Sequence, residues 1–231
     1  MLTKGPELYQ RDYLMRQIEQ AAQALARILK RALGGDVDGA LGMFDEAYQP
    51  LLGVGARVAS ALSEDQLLSL LTSGSTPDLR RVASTLRVVS ADADLHARAD
   101  RPAGAAARWR RALMLAGFLA GRSDGLLDRE LAAGLAERAA GLDLTTPQRL
   151  ALARVDEALG RYADAEDAVF EAIEQDPGEL APVEAGIAFY QRLLATDPDR
   201  LAAGGLPLEE VKAGLAELLR RRPVPERDEP A

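Results

Sequence analysis

The side chains that most often carry catalysis are scarce in this sequence. The 231-residue chain has no cysteine and one histidine, His96. Without cysteine it has no thiol nucleophile, no thiolate zinc ligand and no iron–sulfur ligand. A single histidine cannot build a multi-histidine metal site, and the segment around His96 offers no nucleophile for it to activate. We therefore expect His96 to be a structural residue of a helix.

Carboxylates are the other groups that could do chemistry. They are dense at Asp156 and Glu157 and again at Asp164, Glu166 and Asp167. Such groups could form a glycosidase-like pair or a Mg²⁺ site, but acidic residues at this density also occur on ordinary solvated helices. No Gly-x-x-x-x-Gly-Lys or Gly-x-Gly-x-x-Gly motif is present to bind phosphate. We therefore expect no enzyme, no cofactor and no metal, and keep a carboxylate-based enzyme as the last alternative.

The charge balance limits the partners. The chain has 28 Lys and Arg against 36 Asp and Glu, a net charge of −8. Phosphate groups need a basic field, so we expect neither nucleic acid nor a membrane as the partner. The densest basic clusters are Arg108/Arg110/Arg111 and Arg220/Arg221/Arg222, and we interpret the second, at a predicted helix C-terminus, as a solvated helix end. No apolar run reaches the ~18 residues of a membrane span and no signal peptide is recognisable, which predicts a cytoplasmic protein.

The composition predicts that helices position these residues. The sequence contains 43 Ala and 38 Leu but only 22 Val, Thr and Ile together, and this balance favours helix over sheet. We expect an all-α protein of about nine to eleven helices with short connectors. We predict a single domain over 1–222, with residues 75 and 144 as alternative points of division. The proline-containing tail 223–231 is predicted to be disordered.

Local signals predict where several helices begin. Apolar residues recur every three to four positions over 7–33, which predicts one amphipathic helix. Capping residues then predict five further starts: Asp36 for 36–52, Ser63 with Gln66 for 65–71, Ser75-Thr76-Pro77 for a helix through residue 99, Ser123-Asp124 for one through residue 140, and Thr145-Thr146-Pro147 for 148–159. A short helix is predicted to end before Ser63, and the remaining helices are predicted at 102–120, 162–175, 180–195 and 207–222.

One segment repeats a known spacing of small and aromatic residues. It contains Ala153, Gly160-Arg161-Tyr162, Ala165, Ala172 and Asp176-Pro177, and it resembles the tetratricopeptide repeat, a 34-residue helix–turn–helix. Two weaker matches have the same offsets, at Ala93/Ala105/Trp109/Ala112 and at Gly35/Ala40/Phe44/Ala47. The resemblance implies irregular stacking of helix pairs as a right-handed α-solenoid or a bundle.

A second resemblance starts at the N-terminus. The opening Arg11-Asp12-Tyr13-Leu14-Met15-Arg16-Gln17-Ile18-Glu19, together with the repeat just described, is similar to an uncharacterised family of bacterial helical proteins with tetratricopeptide-like segments. That family has no assigned activity, so no catalytic role is carried over. We interpret the charges around Tyr13 as intrahelical ion pairs that cap an array, with a binding site as the alternative.

The tetratricopeptide resemblance implies a function as a protein–protein interaction scaffold. In that class the first helices of the repeats line a concave surface that binds a peptide or helix of another protein. The matching positions in this sequence are Arg87, Asp94, Arg98, Arg154 and Glu157. Our alternative is a homo-oligomeric structural protein, in which helical faces, or Trp109 with Phe118, pack against a second copy.

Overall fold

The computed structural model describes residues 6–73, 76–122 and 125–221, which form thirteen α-helices and one hairpin of two-residue strands. The predicted all-α class is therefore confirmed. The chain divides into two compact units between Leu142 and Asp143. This boundary lies beside residue 144, one of the two alternative points of division.

Each unit is a run of helices joined by short connectors. The first contains α1 (Pro6–Leu33), α2 (Val37–Leu41), α3 (Asp45–Leu52), α4 (Ala56–Ala61), α5 (Glu64–Leu70), β1 (Thr72–Ser73), β2 (Thr76–Pro77), α6 (Leu79–Arg98), α7 (Pro102–Ala120) and α8 (Arg129–Ala139). The second contains α9 (Thr146–Leu159), α10 (Tyr162–Gln175), α11 (Leu180–Leu193), α12 (Pro198–Ala203) and α13 (Leu208–Arg221).

The core of the first unit forms around three long helices, α1, α6 and α7. α1 packs against α2, α3 and α6, and its buried residues are Ala21, Ala24, Ile28 and Ala32. α6 packs along α7, with Ala93 and Ala105 fully buried. Because these side chains end at Cβ, the two helices can approach closely.

A polar cluster is buried inside this apolar unit. The Asp92 side chain is 3% exposed. Arg108 Nε donates to its Oδ2 over 2.6 Å and Tyr48 Oη over 3.0 Å, while His96 Nδ1 lies 2.9 Å from Oδ1. Burial and the Asp92 charge hold the pKa of Tyr48 well above its ordinary value. His96 thus has the structural position that we predicted for it.

The second unit is built on the α9–α10 helix pair. Gly160 ends α9 in the left-handed conformation (φ 81°) and lets α10 fold back against it, with Ala153 and Ala165 buried between them. α11 packs on α10 and α13 packs on α11. Glycine makes the last contact possible, because a Cβ at Gly214 would overlap the Tyr190 hydroxyl.

The predicted helix starts were right at some positions and wrong at others. The Ser63/Gln66 capping box is present, and a second one joins Thr145 and Gln148. The predicted helix over 36–52 is two helices, α2 and α3. The helix predicted to open at Ser75-Thr76-Pro77 begins instead at Leu79, because Asp78 accepts hydrogen bonds from the backbone of Arg80 and Arg81.

The later boundaries differ in similar ways. α8 begins at Arg129 under an Asp128 cap, rather than at Ser123-Asp124, whose two residues lie outside the described residues. The predicted tail 223–231 also lies outside them. The described residues form more helices than predicted, because several short segments, such as α2 and α12, are separate helices rather than parts of longer ones.

Candidate functional site

Two neighbouring helices of the second unit bring candidate binding residues together. α10 reverses the chain after α9, and α11 returns it beside α9 so that the two contact each other. Arg154 and Glu157 lie on α9, and Arg192 lies near the end of α11. We call the set formed by Leu150, Ala153, Arg154, Glu157, Ala185, Ala188, Phe189 and Arg192 the α9–α11 surface.

A two-point ion pair joins the two helices. Arg192 Nε donates to Glu157 Oε1 over 2.8 Å, and Arg192 Nη2 donates to Oε2 over 2.7 Å. This planar arrangement is the geometry in which an arginine and a carboxylate bind most strongly. The hydrogen bonds to Glu157 raise the pKa of Arg192. The pair therefore fixes both side chains and neutralises Glu157.

A small apolar cavity lies next to the ion pair. It measures about 50 Å³, and its apolar wall comes from Leu150, Ala153, Val169, Ala185, Ala188 and Phe189. Arg154 completes its rim together with Glu157 and Arg192. The volume is far below the roughly 300 Å³ of a small-molecule pocket. It is suited to one small side chain rather than to a cofactor.

The electrostatics of this surface differ from those of the whole chain. Arg154 is exposed, and within the described residues no carboxylate forms an ion pair with it. Arg154 and Arg192 together carry two positive charges against the one negative charge of Glu157. The α9–α11 surface is therefore locally positive on a chain with a net charge of −8.

Comparison with known proteins places most of the chain in one family. Residues 8–222 match a model described as "Family of unknown function (DUF6483)". The chain belongs to DUF6483. Neither the comparison with curated proteins nor that with solved structures gives a significant match. Among the described residues of this DUF6483 chain, no helix has both the length and the apolar composition needed to cross a membrane.

The other three predicted binding residues lie in the first unit and are engaged within it. Arg87 pairs with Asp128 at 3.4 Å, and Arg98 donates to the carbonyl of Ala32 at the end of α1 over 3.2 Å. Asp94 accepts a hydrogen bond from the Trp109 indole over 3.1 Å and pairs with Arg138. The structure thus places Arg154 and Glu157 together, and it places Arg87, Asp94 and Arg98 elsewhere in the DUF6483 fold.

The aromatic pair considered for self-association is also covered by neighbouring side chains. Trp109 is half-buried rather than part of the core, and the Arg138 guanidinium lies 5.6 Å from its ring centre. Phe118 is covered by the guanidinium of Arg122 at 3.5 Å. Each guanidinium thus occupies one face of the ring that it contacts.

The predicted carboxylate clusters separate in the structure. Asp156 is buried and faces Arg161 at 3.9 Å, whereas Glu157 is held by Arg192. Burial and the nearby Asp164 raise the pKa of Asp156 to about 6. Glu166 accepts a hydrogen bond from the Tyr190 hydroxyl instead. Across 6–73, 76–122 and 125–221, no three His, Asp or Glu side chains are grouped to hold a metal ion.

Arg192 is the residue of this site that the sequence analysis missed. It lies 35 residues after Glu157, and Leu150/Ala185 and Ala153/Ala188 have the same separation in the cavity wall. That spacing is close to the 34-residue length of one tetratricopeptide repeat. Extending the repeat register by one more helix would have indicated Arg192 as the neighbour of Glu157.

Proposed function

We propose that this chain is a protein–protein interaction scaffold, and that its α9–α11 surface binds an extended segment of another protein. The segment carries an acidic group beside a small apolar side chain. A cytoplasmic location and tetratricopeptide-like stacking of the helix pairs are parts of this proposal.

The observation that supports it is the exposed Arg154 side chain beside a small apolar cavity. An acidic group of the partner would meet Arg154, while a neighbouring alanine or valine side chain would enter the cavity of about 50 Å³. The Glu157–Arg192 pair holds the cavity wall in place, so little side-chain freedom is lost on binding. The chain also supplies few flexible groups here, because three of the wall residues are alanines.

The position of the surface agrees with the same proposal. It lies between α9 and α11, which correspond to the first helices of consecutive pairs. In tetratricopeptide-like proteins such helices line the concave face that receives peptides. A recognition mode that depends on asparagine side chains is excluded, because the chain contains no asparagine.

Selection of peptides from a phage-displayed random library on the wild-type protein tests the proposal. We expect the enriched peptides to share an Asp or Glu next to a small apolar residue. Synthetic versions should bind Arg154→Glu at least about ten-fold more weakly than wild type, because an attraction becomes a repulsion. Arg220→Glu is the matched control, since it makes the same charge change at an exposed position on α13.

Two results would overturn the proposal. The first is enrichment of peptides without an acidic residue. The second is equal weakening by Arg154→Glu and Arg220→Glu, which would show that only the net charge of the protein matters. Arg154→Lys separates the two properties of the side chain, because it keeps the charge and loses the two-point geometry.

A further inference from the structure

The apolar arc of α1 is wider than the part that the first unit covers. Its buried residues contact α2, α3 and α6. A second set of apolar residues lies further around the helix and is exposed: Met15, Ala22, Ala26, Leu29 and Leu33. We call this set the outer stripe. Leu33 is 80% exposed, the most of any large apolar residue described.

Four of the five residues of the outer stripe lie symmetrically about position 24; the fifth, Leu29, has Glu19 at the matching position. Met15 and Leu33 lie nine residues on either side of position 24, and Ala22 and Ala26 lie two residues on either side. Two such helices placed antiparallel would match Met15 with Leu33 at each end, and the alanines of one with those of the other at the centre. Alanine at the centre allows two helix axes to approach closely. The pattern therefore fits a second copy of the same helix.

The charged residues beside the stripe also fit an antiparallel copy. Glu19 and Lys30 both lie along the edge of the stripe that faces away from the unit's own core. Antiparallel pairing brings each Glu19 next to Lys30 of the second copy, so the contact forms twice. Parallel pairing would bring neither pair together. Arg27 and Arg31 are already engaged with Glu46 and Asp36 inside the unit.

A hollow lies where the end of the second helix would arrive. It has a volume of about 390 Å³ and is lined by Leu14, Met15, Leu79 and Leu126, with Asp78 and Arg80 at its rim. The antiparallel register that matches Met15 with Leu33 brings Leu33 of the second copy to this hollow. The most exposed leucine therefore meets an open apolar surface.

We propose that the chain forms a two-fold symmetric dimer in which α1 packs antiparallel against α1 of a second copy. The interface is then self-complementary, because each copy supplies the same elements to it. These are the outer stripe, the Glu19 and Lys30 side chains, and the hollow. This inference is independent of the α9–α11 surface, which lies in the other unit.

Sedimentation equilibrium over a wide concentration range tests the dimer. The chain mass is 24.7 kDa, so the dimer has twice that mass. Leu33→Asp should raise the dimer dissociation constant on the order of 100-fold, because two leucines leave the interface at once. Leu219→Asp is the matched control, since Leu219 is 49% exposed on α13 and should leave the dimer intact. Circular dichroism on both variants shows that the fold is retained.

Charge exchange tests the orientation. Glu19→Lys should weaken the dimer, and adding Lys30→Glu should restore it, because the exchanged charges meet across the antiparallel pair. Cysteine pairing gives a second readout in a chain without native cysteine. A mixture of Ala22→Cys and Ala26→Cys proteins should form the mixed disulfide faster than either forms its own.

Three outcomes would overturn the inference. They are a monomer at every concentration, equal effects of Leu33→Asp and Leu219→Asp, and preferential formation of like-with-like disulfides. A monomer at every concentration would mean that the outer stripe binds a different partner. Equal effects of the two leucine substitutions would mean that another surface mediates self-association. Like-with-like disulfides would mean that the two α1 helices pack in parallel.

Discussion

Replacing the buried Asp156 by asparagine should stabilise the protein at neutral and alkaline pH. Asp156 is 4% exposed. Its Oδ1 has no hydrogen-bond partner in the described part of the chain, and Arg161 Nη1 comes no closer than 3.9 Å. A carboxylate in this position has lost water without gaining full compensation. Asparagine has the same shape and carries no charge.

The size of the effect follows from the pKa of Asp156, which burial and the charge of Asp164 raise from 3.8 to about 6. The native state therefore binds the proton more tightly than the unfolded chain does. Ionisation of Asp156 then costs stability above pH 6, and that cost disappears as the pH falls from about 6 towards 4. The full difference corresponds to about 3 kcal/mol. Asp164 is exposed, so solvent screens its repulsion of Asp156 and reduces this value; we therefore expect a gain of about 1.5 to 3 kcal/mol.

Urea unfolding followed by circular dichroism, at several values from about pH 4 to about pH 8, measures this effect. Wild type and Asp156→Asn should have equal unfolding free energies near pH 4 and should diverge as the pH rises. Asp167→Asn is the matched control, because it removes an exposed carboxylate from the neighbouring helix. It should change stability by no more than about 0.5 kcal/mol at any pH.

The reasoning is refuted if Asp156→Asn follows the wild-type pH profile, or if the asparagine variant is less stable at alkaline pH. Either result would mean that the carboxylate of Asp156 is compensated in the native state. A gain of equal size from Asp167→Asn would show that the effect comes from the net charge of −8 rather than from burial.

Three further substitutions test the packing inside each of the two units. Asp92→Leu leaves Arg108 buried without its partner, and should lower the free energy of unfolding by about 3 to 5 kcal/mol in urea titrations. Gly214→Ala forces the Tyr190 hydroxyl to move and should cost about 1 to 3 kcal/mol in the same assay. Ala165→Trp has no space between α9 and α10, and should unfold or loosen that helix pair, seen as a lower melting temperature.

Each of these substitutions has its own control or contrary result. Combining Asp92→Leu with Arg108→Leu should recover much of the lost stability, because no charge is then left buried alone; no recovery would contradict that account. Ala216→Ser, at an exposed position on the same helix as Gly214, should be nearly neutral. An unchanged melting temperature for Ala165→Trp would mean that the helix pair is not packed as described.

The sequence predicted the parts of the fold that depend on neighbouring residues. The Ser63–Gln66 capping box was predicted correctly because each side chain bonds the backbone N–H of the other residue within one turn. At Thr145 the sequence predicted a cap before Pro147, and the structure adds Gln148 as its capping-box partner. The turn at Gly160 and the buried alanines Ala153 and Ala165 followed from the repeat spacing. These features need no information about distant segments.

The features that the sequence analysis missed depend on competition between alternative local structures, or on contacts between residues far apart in the sequence. Thr76 and Pro77 pair with Thr72 and Ser73, so the helix cap passes to Asp78, which offers a carboxylate directly before Leu79. At the candidate site the sequence indicated Arg154 and Glu157, but the partner Arg192 comes from a helix two elements further on. Hydrophobic periodicity does not specify which helices become neighbours, and only the repeat length carries that information.

The buried cluster around Asp92 has a consequence for how this fold can diversify. Helices that pack through apolar side chains can slide past one another by a turn at modest cost, since one apolar residue then replaces another. A slide of about 5.4 Å between α6 and α7 would separate Asp92 from Arg108 and leave two charges unpaired. The cluster thus fixes the register between α6 and α7 in the first unit. We expect a library that randomises the surrounding apolar positions to yield many folded variants, and one that randomises Asp92 and Arg108 separately to yield few.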